Sequence, residues 1–298
     1  LVDIPISNCI NSGYDHIYLL SQFNTASLHK HIQQTYKFDS FGQGFVDILA
    51  AEQTDSGGSW YQGTADAVRK NMHHFERYQG ENLYYLILSG DQLYQMDFTK
   101  MINAHIESGA DIPMAAKPMP RSEAPSLGVM KVDRDLNIVE FAEKPKDPAV
   151  IDSFLVDKNV VSDIKNPDPA GYCMASMGIY VFSRKILEEA MGGSEMDFGK
   201  EVIPGMLGKK KLRAHIFNGY WEDIGTIRSF FDANLALTDD VPPFDFYKKG
   251  QTVYTHSRFL PGARIFGSRV ERCDISDGCL IRNAMLERCI VGVRSIIG

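Results

Sequence analysis

The sequence predicts an α/β fold that is doubly wound around a mixed sheet and continues into the start of a parallel β-helix. Three observations support this prediction. Short apolar runs alternate with segments of helical period as far as Ser108. From Ile112 the strands are separated by polar loops that contain proline, and from Ala263 single aliphatic residues recur every five or six positions. These patterns are typical of βαβ units, of a sheet that becomes mixed, and of stacked coils.

The first part of the chain is expected to alternate helices with buried strands. A helix is predicted to begin with Asp3 as its N-cap and to end before Gly13. The apolar run Leu83–Leu88 suits the centre of a parallel sheet. The other predicted elements before Ile112 are strands at His16–Leu20 and Phe45–Ala51 and helices at Thr25–Tyr36, Thr64–Tyr78 and Asp97–Ser108.

The next part of the chain is expected to complete the same domain. Its predicted strands are Ile112–Ala116, Leu127–Val132, Ile138–Glu143, Met177–Phe182 and Arg213–Phe217, and its predicted helices are Arg184–Met191, Phe198–Leu207 and Ile227–Leu237. The stretch Pro145–Tyr172 is charged, contains four prolines and has little periodicity. We interpret it as an insertion or a mobile surface loop.

The predicted organisation is one large domain over residues 1–238, a linker over 239–260 and the beginning of a β-helix over 261–298. A plain β-meander remains the alternative for the last segment. Cys273, Cys279 and Cys289 are expected to be small buried residues of the coils. Because the chain opens at Leu1 inside a predicted element and its repeats stop at Gly298 without a cap, both ends are expected to be truncated.

Composition excludes several classes of function. A net charge of −7 argues against bulk binding to nucleic acid or to anionic membranes, which attract basic surfaces. The five cysteines include no CxxC pair, so they fit reduced thiols better than a zinc site or a disulfide framework. No apolar run is long enough to cross a bilayer, and no signal peptide is expected. The expected location is the cytoplasm, or an organelle stroma.

Two widely separated carboxylates are candidates for a metal site. Asp91 lies just past the carboxyl end of an apolar strand in LILSGDQLY, where open α/β sheets bind ligands. Asp223 lies in YWEDIGT, before the last predicted helix of the domain. If the two side chains approach each other, they could hold Mg²⁺ against the phosphates of a nucleotide. The alternative for each is a helix N-cap, and the sequence leaves both open.

Three further segments contain candidate ligand-binding residues. In WYQGTADAV, Gly63 forms a turn and Thr64 is a good N-cap, so the following helix is expected to offer free amides to a phosphate or purine. In FAEKP, Glu143 and Lys144 end a strand and could meet a sugar hydroxyl and a phosphate, unless they are only a solvated surface pair. In ASMGIYVF, Ser176 and a neighbouring glycine could approach a ligand beside a strand.

Taken together and in this order, these segments resemble one family, the glucose-1-phosphate adenylyltransferases of glycogen and starch synthesis. The resemblance extends over nearly the whole chain and also includes DIPISNCINSG, LGVMKVD, DFGKEVIP and YWEDIGTIRSFFDANLAL. It implies a Rossmann-like, GT-A-like nucleotidyltransferase domain followed by a left-handed parallel β-helix. It also implies ATP and glucose 1-phosphate as substrates, Mg²⁺ as cofactor, and a homotetramer or heterotetramer.

The resemblance also implies roles for individual residues. Asp91, Asp223 and Lys144 would be catalytic, and the two aspartates would hold the Mg²⁺. The glucose 1-phosphate pocket would be lined by Tyr61, Gly128, Glu143, Lys144 and Ser176, and the ATP would lie against Gly63, Thr64, Ala65 and Asp66.

The sequence also departs from this family. A glycine-rich loop, GGGxGTRL, should precede Leu1, so this chain alone is expected to bind ATP weakly and to be weakly active or inactive. Gln92 stands where many relatives have histidine. The alternatives are an enzyme that makes another nucleotide sugar and a regulatory subunit without catalysis. An acyltransferase with its active site in the β-helix ranks last, because too few coils are present.

Overall fold

A computed structural model of the chain describes residues 1–23, 25–39, 41–51, 60–78, 80, 83–157 and 168–298. In these residues the helices are α1 (Asp3–Asn11), α2 (Thr25–Thr35), α3 (Thr64–Lys70), α4 (Met72–Phe75), α5 (Phe98–Ser108), α6 (Pro148–Ser153), α7 (Arg184–Met191), α8 (Ile203–Met206) and α9 (Ile227–Ala236). A 3₁₀ turn covers Arg121–Ser126, and a π-helical turn over Phe198–Val202 runs into α8.

The strands of the first domain are β1 (His16–Ser21), β2 (Phe45–Ala50), β3 (Tyr84–Ile87), β4 (Gln92–Tyr94), β5 (Ile112–Pro120), β6 (Gly128–Val132), β7 (Ile138–Glu143), β8 (Tyr172–Ser183), β9 (Leu212–Ile216) and β10 (Trp221–Asp223). The strands of the last segment are β11 (Arg264–Phe266), β12 (Arg269–Ile275), β13 (Leu280–Arg282), β14 (Met285–Val291) and β15 (Ile296–Ile297).

The main sheet is mixed, which confirms the predicted fold class. Five strands run in the order β7, β6, β8, β5, β9, and β3 pairs with the other part of the long strand β8. The β5–β9 pair is parallel, whereas β3, β5 and β6 all pair with β8 in antiparallel fashion. The prediction that Leu83–Leu88 lies at the centre of a parallel sheet is therefore wrong, because β3 pairs with β8 in antiparallel fashion.

Both faces of this sheet are covered, as alternating residues of β5 show. Ile112 and Met114 belong to one buried cluster, which includes residues of α3, α7 and α8. Ala115 and Met119 belong to a second cluster, which includes residues of α1, α5 and β10. Because successive side chains of a strand point to opposite faces, this division gives the sheet a core on each side.

The helices differ from the sequence prediction in three places, of which the first is a break at Asn71. The predicted helix Thr64–Tyr78 is two helices, α3 and α4, separated at Asn71. The buried Asn71 side chain donates hydrogen bonds to the carbonyl of Ala67 and to the Tyr61 hydroxyl, at 2.8 and 2.9 Å. Side-chain bonds of this kind compete with the regular helical pattern, which accounts for the interruption.

At the start of α1 the N-cap is Val2 rather than Asp3. The Asp3 carboxylate instead accepts hydrogen bonds from His31, Tyr36 and Thr255, with the contacts between 2.7 and 2.9 Å. A carboxylate with three partners from distant segments serves tertiary packing rather than capping.

The predicted surface loop Pro145–Tyr172 contains the helix α6, which was not predicted from the sequence. Asp147 caps α6 by accepting the amide of Ala149 at 2.9 Å. Ile151 and Phe154 are buried in a small core cluster of their own. Residues 158–167 of the predicted loop lie outside the described part of the chain.

The last segment is a parallel β-helix, as predicted, and the β-meander is excluded. Paired strands lie on neighbouring coils, and paired residues are 16 positions apart in sequence. Arg269 pairs with Met285, and Leu280 pairs with Ile296. Left-handed backbone conformations recur at the same interval, in Gly267 and Asn283, Arg272 and Arg288, and Gly278 and Arg294. Three such corners in 16 residues explain why aliphatic residues recur every five or six positions. Of the coil cysteines Cys279 is buried, whereas Cys273 and Cys289 are partly exposed, so that expectation is only partly confirmed.

Residues 237–263 contain no helix or strand and connect the two regions. Phe244 is buried in the first domain, and the amide of Tyr254 donates to the Ser7 hydroxyl at 2.8 Å. Arg288 of the β-helix pairs with Asp239 at 3.2 Å. These contacts hold the connecting segment against α1 and the first domain. Among the described residues, no helix combines the length and apolarity that a membrane crossing needs.

Candidate active site

The two candidate carboxylates lie together on a short ribbon. Strands β4 and β10 are antiparallel, with Asp223 opposite Gln92, and the amide of Ile224 donates to the carbonyl of Asp91 at 3.0 Å. Burial raises the pKa of the Asp223 carboxyl, the negative charge of Asp91 raises it further, and the charge of Lys144 lowers it. The structure therefore brings Asp91, Asp223 and Lys144 within electrostatic range of one another.

Gln92 helps to hold this ribbon together. Its side-chain oxygen accepts the indole N–H of Trp221 at 3.0 Å, and both residues are buried. A buried hydrogen bond between two strands that share few backbone bonds fixes their relative position. Gln92 thus has a structural partner here, at a position where the sequence departs from many relatives of the family it resembles.

The chain bends at Lys144, at the end of β7. The Lys144 backbone is in the left-handed region, with φ at +48°, and its amide donates to the carbonyl of Leu127 at 3.1 Å. In a regular strand, consecutive side chains point to opposite faces. The bend breaks that alternation, and Lys144 influences both Asp223 and its own neighbour Glu143.

Glu143 lies in a space that two glycines leave open. A Cβ atom on Gly128 would lie 2.6 Å from Oε2 of Glu143, and one on Gly199 would lie 3.0 Å from the same atom. Burial raises the pKa of Glu143; the charge of Lys144 lowers it, that of Asp197 raises it, and that of Lys200 lowers it. The carboxylate is therefore held in a small pocket with charges of both signs around it.

Strand β8 contributes polar side chains that interact electrostatically with Glu143. The amide of Gly178 donates to the Ser176 hydroxyl at 3.2 Å, and Gly178 has a left-handed φ of +66°. Burial raises the pKa of the Tyr180 hydroxyl to about 12; the hydrogen bond with Ser176 lowers it, and the charges of Glu143 and Asp197 raise it. Ser176, Tyr180, Glu143 and Asp197 thus form one polar group.

The segment predicted to hold ATP is more enclosed than the sequence indicated. The amides of Ala65 and Asp66 both donate to the carbonyl of Met196, at 2.9 and 3.1 Å. The expectation that the N-terminal amides of this helix are free is therefore wrong for these two residues. The N-cap of α3 is Gly63 rather than Thr64. A Cβ atom on Gly63 would lie 2.2 Å from the Met196 oxygen, so only glycine allows this contact.

Asp66 and Tyr61 are both held by neighbours within the same segment. Burial raises the pKa of Asp66, but the hydrogen bonds from Lys70 and from the Gln62 amide, with the charges of Lys70 and Arg69, lower it overall. Tyr61 accepts a hydrogen bond from Asn71, and its amide donates to the Gln22 side chain. Both residues stabilise the turn that presents Gly63 and Thr64.

Asp197 is a site residue to which the sequence analysis gave no role. It caps the π-helical turn by accepting the amide of Lys200 at 3.0 Å, and its other oxygen accepts the Thr64 hydroxyl at 3.2 Å. The Thr64 hydroxyl in turn accepts the amide of Phe198. The motif DFGKEVIP contained a signal, an Asp at a helix start followed by a glycine, but only the fold shows that it joins the two predicted pockets.

The donor set suits a hard divalent cation. Mg²⁺ typically takes one or two protein carboxylates and completes its shell with water and phosphate oxygens. Asp91 and Asp223 supply two carboxylates, and no group of three or more His, Cys, Asp or Glu side chains within the described ranges could hold a metal by itself. The arrangement therefore fits a cation that depends on a phosphate ligand, with Lys144 as an additional positive charge.

Comparison with known families identifies the class of protein to which the chain belongs. Residues 1–240 match the nucleotidyl transferase family, and the chain belongs to it. Residues 258–298 match the GLGC left-handed parallel beta-helix domain. Nucleotidyl transferase followed by this β-helix is the domain architecture of the glucose-1-phosphate adenylyltransferases. The membership implies a nucleotide and a sugar phosphate as substrates.

Proposed function

We propose that the protein transfers the adenylyl group of ATP to α-D-glucose 1-phosphate, giving ADP-glucose and pyrophosphate for glycogen or starch synthesis. The single observation that carries this proposal is the approach of Asp91, Asp223 and Lys144 beside the Glu143 pocket. Two carboxylates and a lysine next to a pocket of hydroxyls and a carboxylate suit a reaction between two phosphates, one of them attached to a sugar.

In the proposed reaction a phosphate oxygen of glucose 1-phosphate attacks the α-phosphorus of ATP in line. The new P–O bond forms as the bond to pyrophosphate breaks, and pyrophosphate leaves with the electron pair. Mg²⁺ held by Asp91 and Asp223 would neutralise phosphate charge. The Lys144 ammonium would orient the attacking phosphate. Glu143 and Ser176 would hold sugar hydroxyls beside Gly128, and Tyr61 would close the same pocket.

Gly63, Thr64, Ala65 and Asp66 are proposed to lie against ATP. Gly63 and the exposed hydroxyl of Thr64 form the accessible part of this segment, whereas Ala65 and Asp66 are buried and support it. The hydrogen bond from Thr64 to Asp197 connects this segment to the sugar side. Binding of one substrate would therefore help to order the other side of the site. A tetrameric assembly and a cytoplasmic or stromal location are further parts of the proposal.

The test is pyrophosphate release from ATP and glucose 1-phosphate with Mg²⁺, in the chain as it stands and with a glycine-rich N-terminal segment added. Asp91→Asn and Asp223→Asn should each lower kcat by about 100-fold or more, because each removes charge stabilisation of the transition state. Asp135→Asn, at an exposed turn aspartate, is the matched control and should leave kcat unchanged.

Substitution of the substrates separates the alternatives. Faster turnover with UTP or GTP than with ATP, or with mannose 1-phosphate than with glucose 1-phosphate, would show a different nucleotide-sugar enzyme. Nucleotide binding without turnover of any sugar phosphate, even in the extended protein, would show a regulatory subunit and remove the proposed roles of Asp91, Lys144 and Asp223.

A further inference from the structure

A second cavity lies between α5 and the edge strand β9, outside the candidate active site. Its volume is about 290 Å³, close to the lower end of typical small-molecule pockets. Met101, Pro113 and Ile216 give it apolar walls, and His105, Arg213 and His215 give it polar ones. A space of this size with both kinds of wall can hold a small molecule rather than a few waters.

The polar groups come from two elements that face each other. Arg213 and His215 are two residues apart on β9, so both side chains point to the face of the sheet that α5 covers. His105 comes from the last turn of α5, and its ring meets the Tyr84 ring edge to face, with the centroids 5.3 Å apart. The fold therefore directs the guanidinium of Arg213 and the imidazole of His215 towards one space, with His105 in its wall.

These polar groups lack partners among the residues that the structure describes. His105 is 7% exposed, and its Nδ1 atom is buried without a hydrogen bond. Arg213 is partly buried and makes no side-chain hydrogen bond or ion pair in the described ranges. The Nδ1 atom of His105 is enclosed by protein atoms, so it does not offer a donor or an acceptor to the cavity. The guanidinium donors of Arg213 are the groups that a ligand in the cavity could use.

The charges around the cavity favour an anion. Arg213 carries a permanent positive charge, and its planar guanidinium matches the oxygens of a carboxylate or a phosphate. The one carboxylate in the lining is Glu107, which is exposed at the rim. Asp111, near His105, is already engaged because it accepts the amide of Lys211 at 2.8 Å. No acidic side chain in the described lining neutralises Arg213 from inside.

We infer that this cavity binds a small oxyanion, a phosphate or a carboxylate, between Arg213 and His215, with any apolar part of the ligand against Met101. The site is separate from the proposed adenylyl transfer and does not depend on it. Arg213 would bind the oxyanion directly, His215 would donate to it through a ring N–H, and the ligand would complete the partly buried polar wall.

The test is NMR of histidine-labelled protein, because the imidazole signals of His105 and His215 report directly on the cavity. Inorganic phosphate and butyrate are titrated separately, each against sodium chloride at matched ionic strength. Saturable shifts of both imidazoles with one of the two anions are expected. The anion that saturates identifies the source of the oxyanion, and butyrate would indicate a carboxylate with an apolar tail.

Two variants and a control make the result specific. Arg213→Gln should weaken binding by at least about tenfold, since it removes the charged fork that holds the oxygens. Ala104→Phe, which fills the cavity from α5, should weaken it in the same way and covers the case in which the Arg213 variant misfolds. Arg228→Gln, at a highly exposed arginine of α9, should leave binding unchanged. Imidazole shifts that grow linearly and match those with sodium chloride would overturn the inference. It would also be overturned if both the Arg213 and the Ala104 variants bound the anion as tightly as the unmodified protein.

Discussion

The β-helix and the β4–β10 pair of the candidate active site are both held by pairs of short strands. We call the β4–β10 pair, with Asp91 and Asp223, the acidic ribbon. The two regions differ in how far apart the paired strands are in sequence. In the β-helix, each strand pairs with the strand one coil, or 16 residues, further along. In the acidic ribbon, Gln92 pairs with Asp223 across most of the first domain. A repeat can place neighbours by local geometry alone, whereas the ribbon depends on the correct packing of every element between its strands.

The two regions also differ in where they place charge. In the coils, arginines and glutamates pair on the outer surface, as Arg272 and Glu287 do at 2.8 Å. In the ribbon, Asp223 is partly buried beside another carboxylate, which is unfavourable for the fold by itself. One region is arranged for stability, and the other retains an unfavourable interaction that a substrate or cation can relieve.

The largest effect on stability is expected in the β-helix core. Ile281 is fully buried, and Ile281→Ala should destabilise this region by about 2–5 kcal/mol because it leaves a cavity between coils. Ile265 is paired directly with Ile281 on the preceding coil but is about half exposed, so Ile265→Ala should have a much smaller effect. Chemical denaturation measures both. Equal losses in the two variants would contradict the assignment of Ile281 to the interior.

The next effect is expected where the first domain has a close backbone contact. Gly63→Ala would place a methyl group against the Met196 carbonyl and should destabilise the domain by about 1–3 kcal/mol. Gly205→Ala is the control, because no described atom outside its chain neighbours and its own helix backbone lies within 4 Å of a Cβ added there, and alanine favours the helix α8. It should be neutral or stabilising by up to about 1 kcal/mol. Thermal melts of both variants test whether the predicted ATP segment is held by this contact.

A smaller and more local effect, on substrate affinity, is expected at the residues around Glu143 that are proposed to bind glucose 1-phosphate. Gly128→Ala would place a Cβ atom 2.6 Å from the Glu143 carboxylate and 2.8 Å from Cζ of Phe141. By displacing Glu143 it should weaken glucose 1-phosphate binding by about tenfold, equivalent to about 1.4 kcal/mol. Calorimetric titration without ATP measures this directly, with the Gly205 variant as reference. Unchanged affinity would mean that Glu143 is not in contact with the sugar phosphate.

The smallest effect concerns the charge of Asp223 in metal-free solution. Its pKa is raised in the folded protein, so the folded state binds the proton more tightly than the unfolded state and the ionised form is destabilising. Asp223→Asn should therefore raise the melting temperature at neutral pH. The gain should shrink as the pH falls through the raised folded pKa and disappear below the ordinary aspartate pKa of about 3.9. A lower melting temperature in the Asp223 variant at neutral pH would contradict the electrostatic interpretation.

Some site features could be predicted from the sequence because they are local. The strand, turn and aspartate of LILSGDQLY placed Asp91 at a strand end, and the Glu143–Lys144 pair was found at the end of β7. Asp197 was missed as a site residue because its importance lies in its contact with Thr64, more than a hundred residues away. The free amides predicted for α3 were wrong for the same reason, since the carbonyl of Met196 comes from a distant segment.

By itself, the sequence determined the elements with strong periodicity: the alternation of helices and strands, the mixed sheet after Ile112, and the coils after Ala263. These follow from residue patterns at separations of two to six positions, where backbone geometry alone decides which side chains share a face. Only the tertiary structure decided that Asp91 and Lys144 act electrostatically on Asp223, and that Arg213 and His105 line one cavity. Such contacts join residues far apart in the chain, and they exist only because the intervening elements pack in one arrangement.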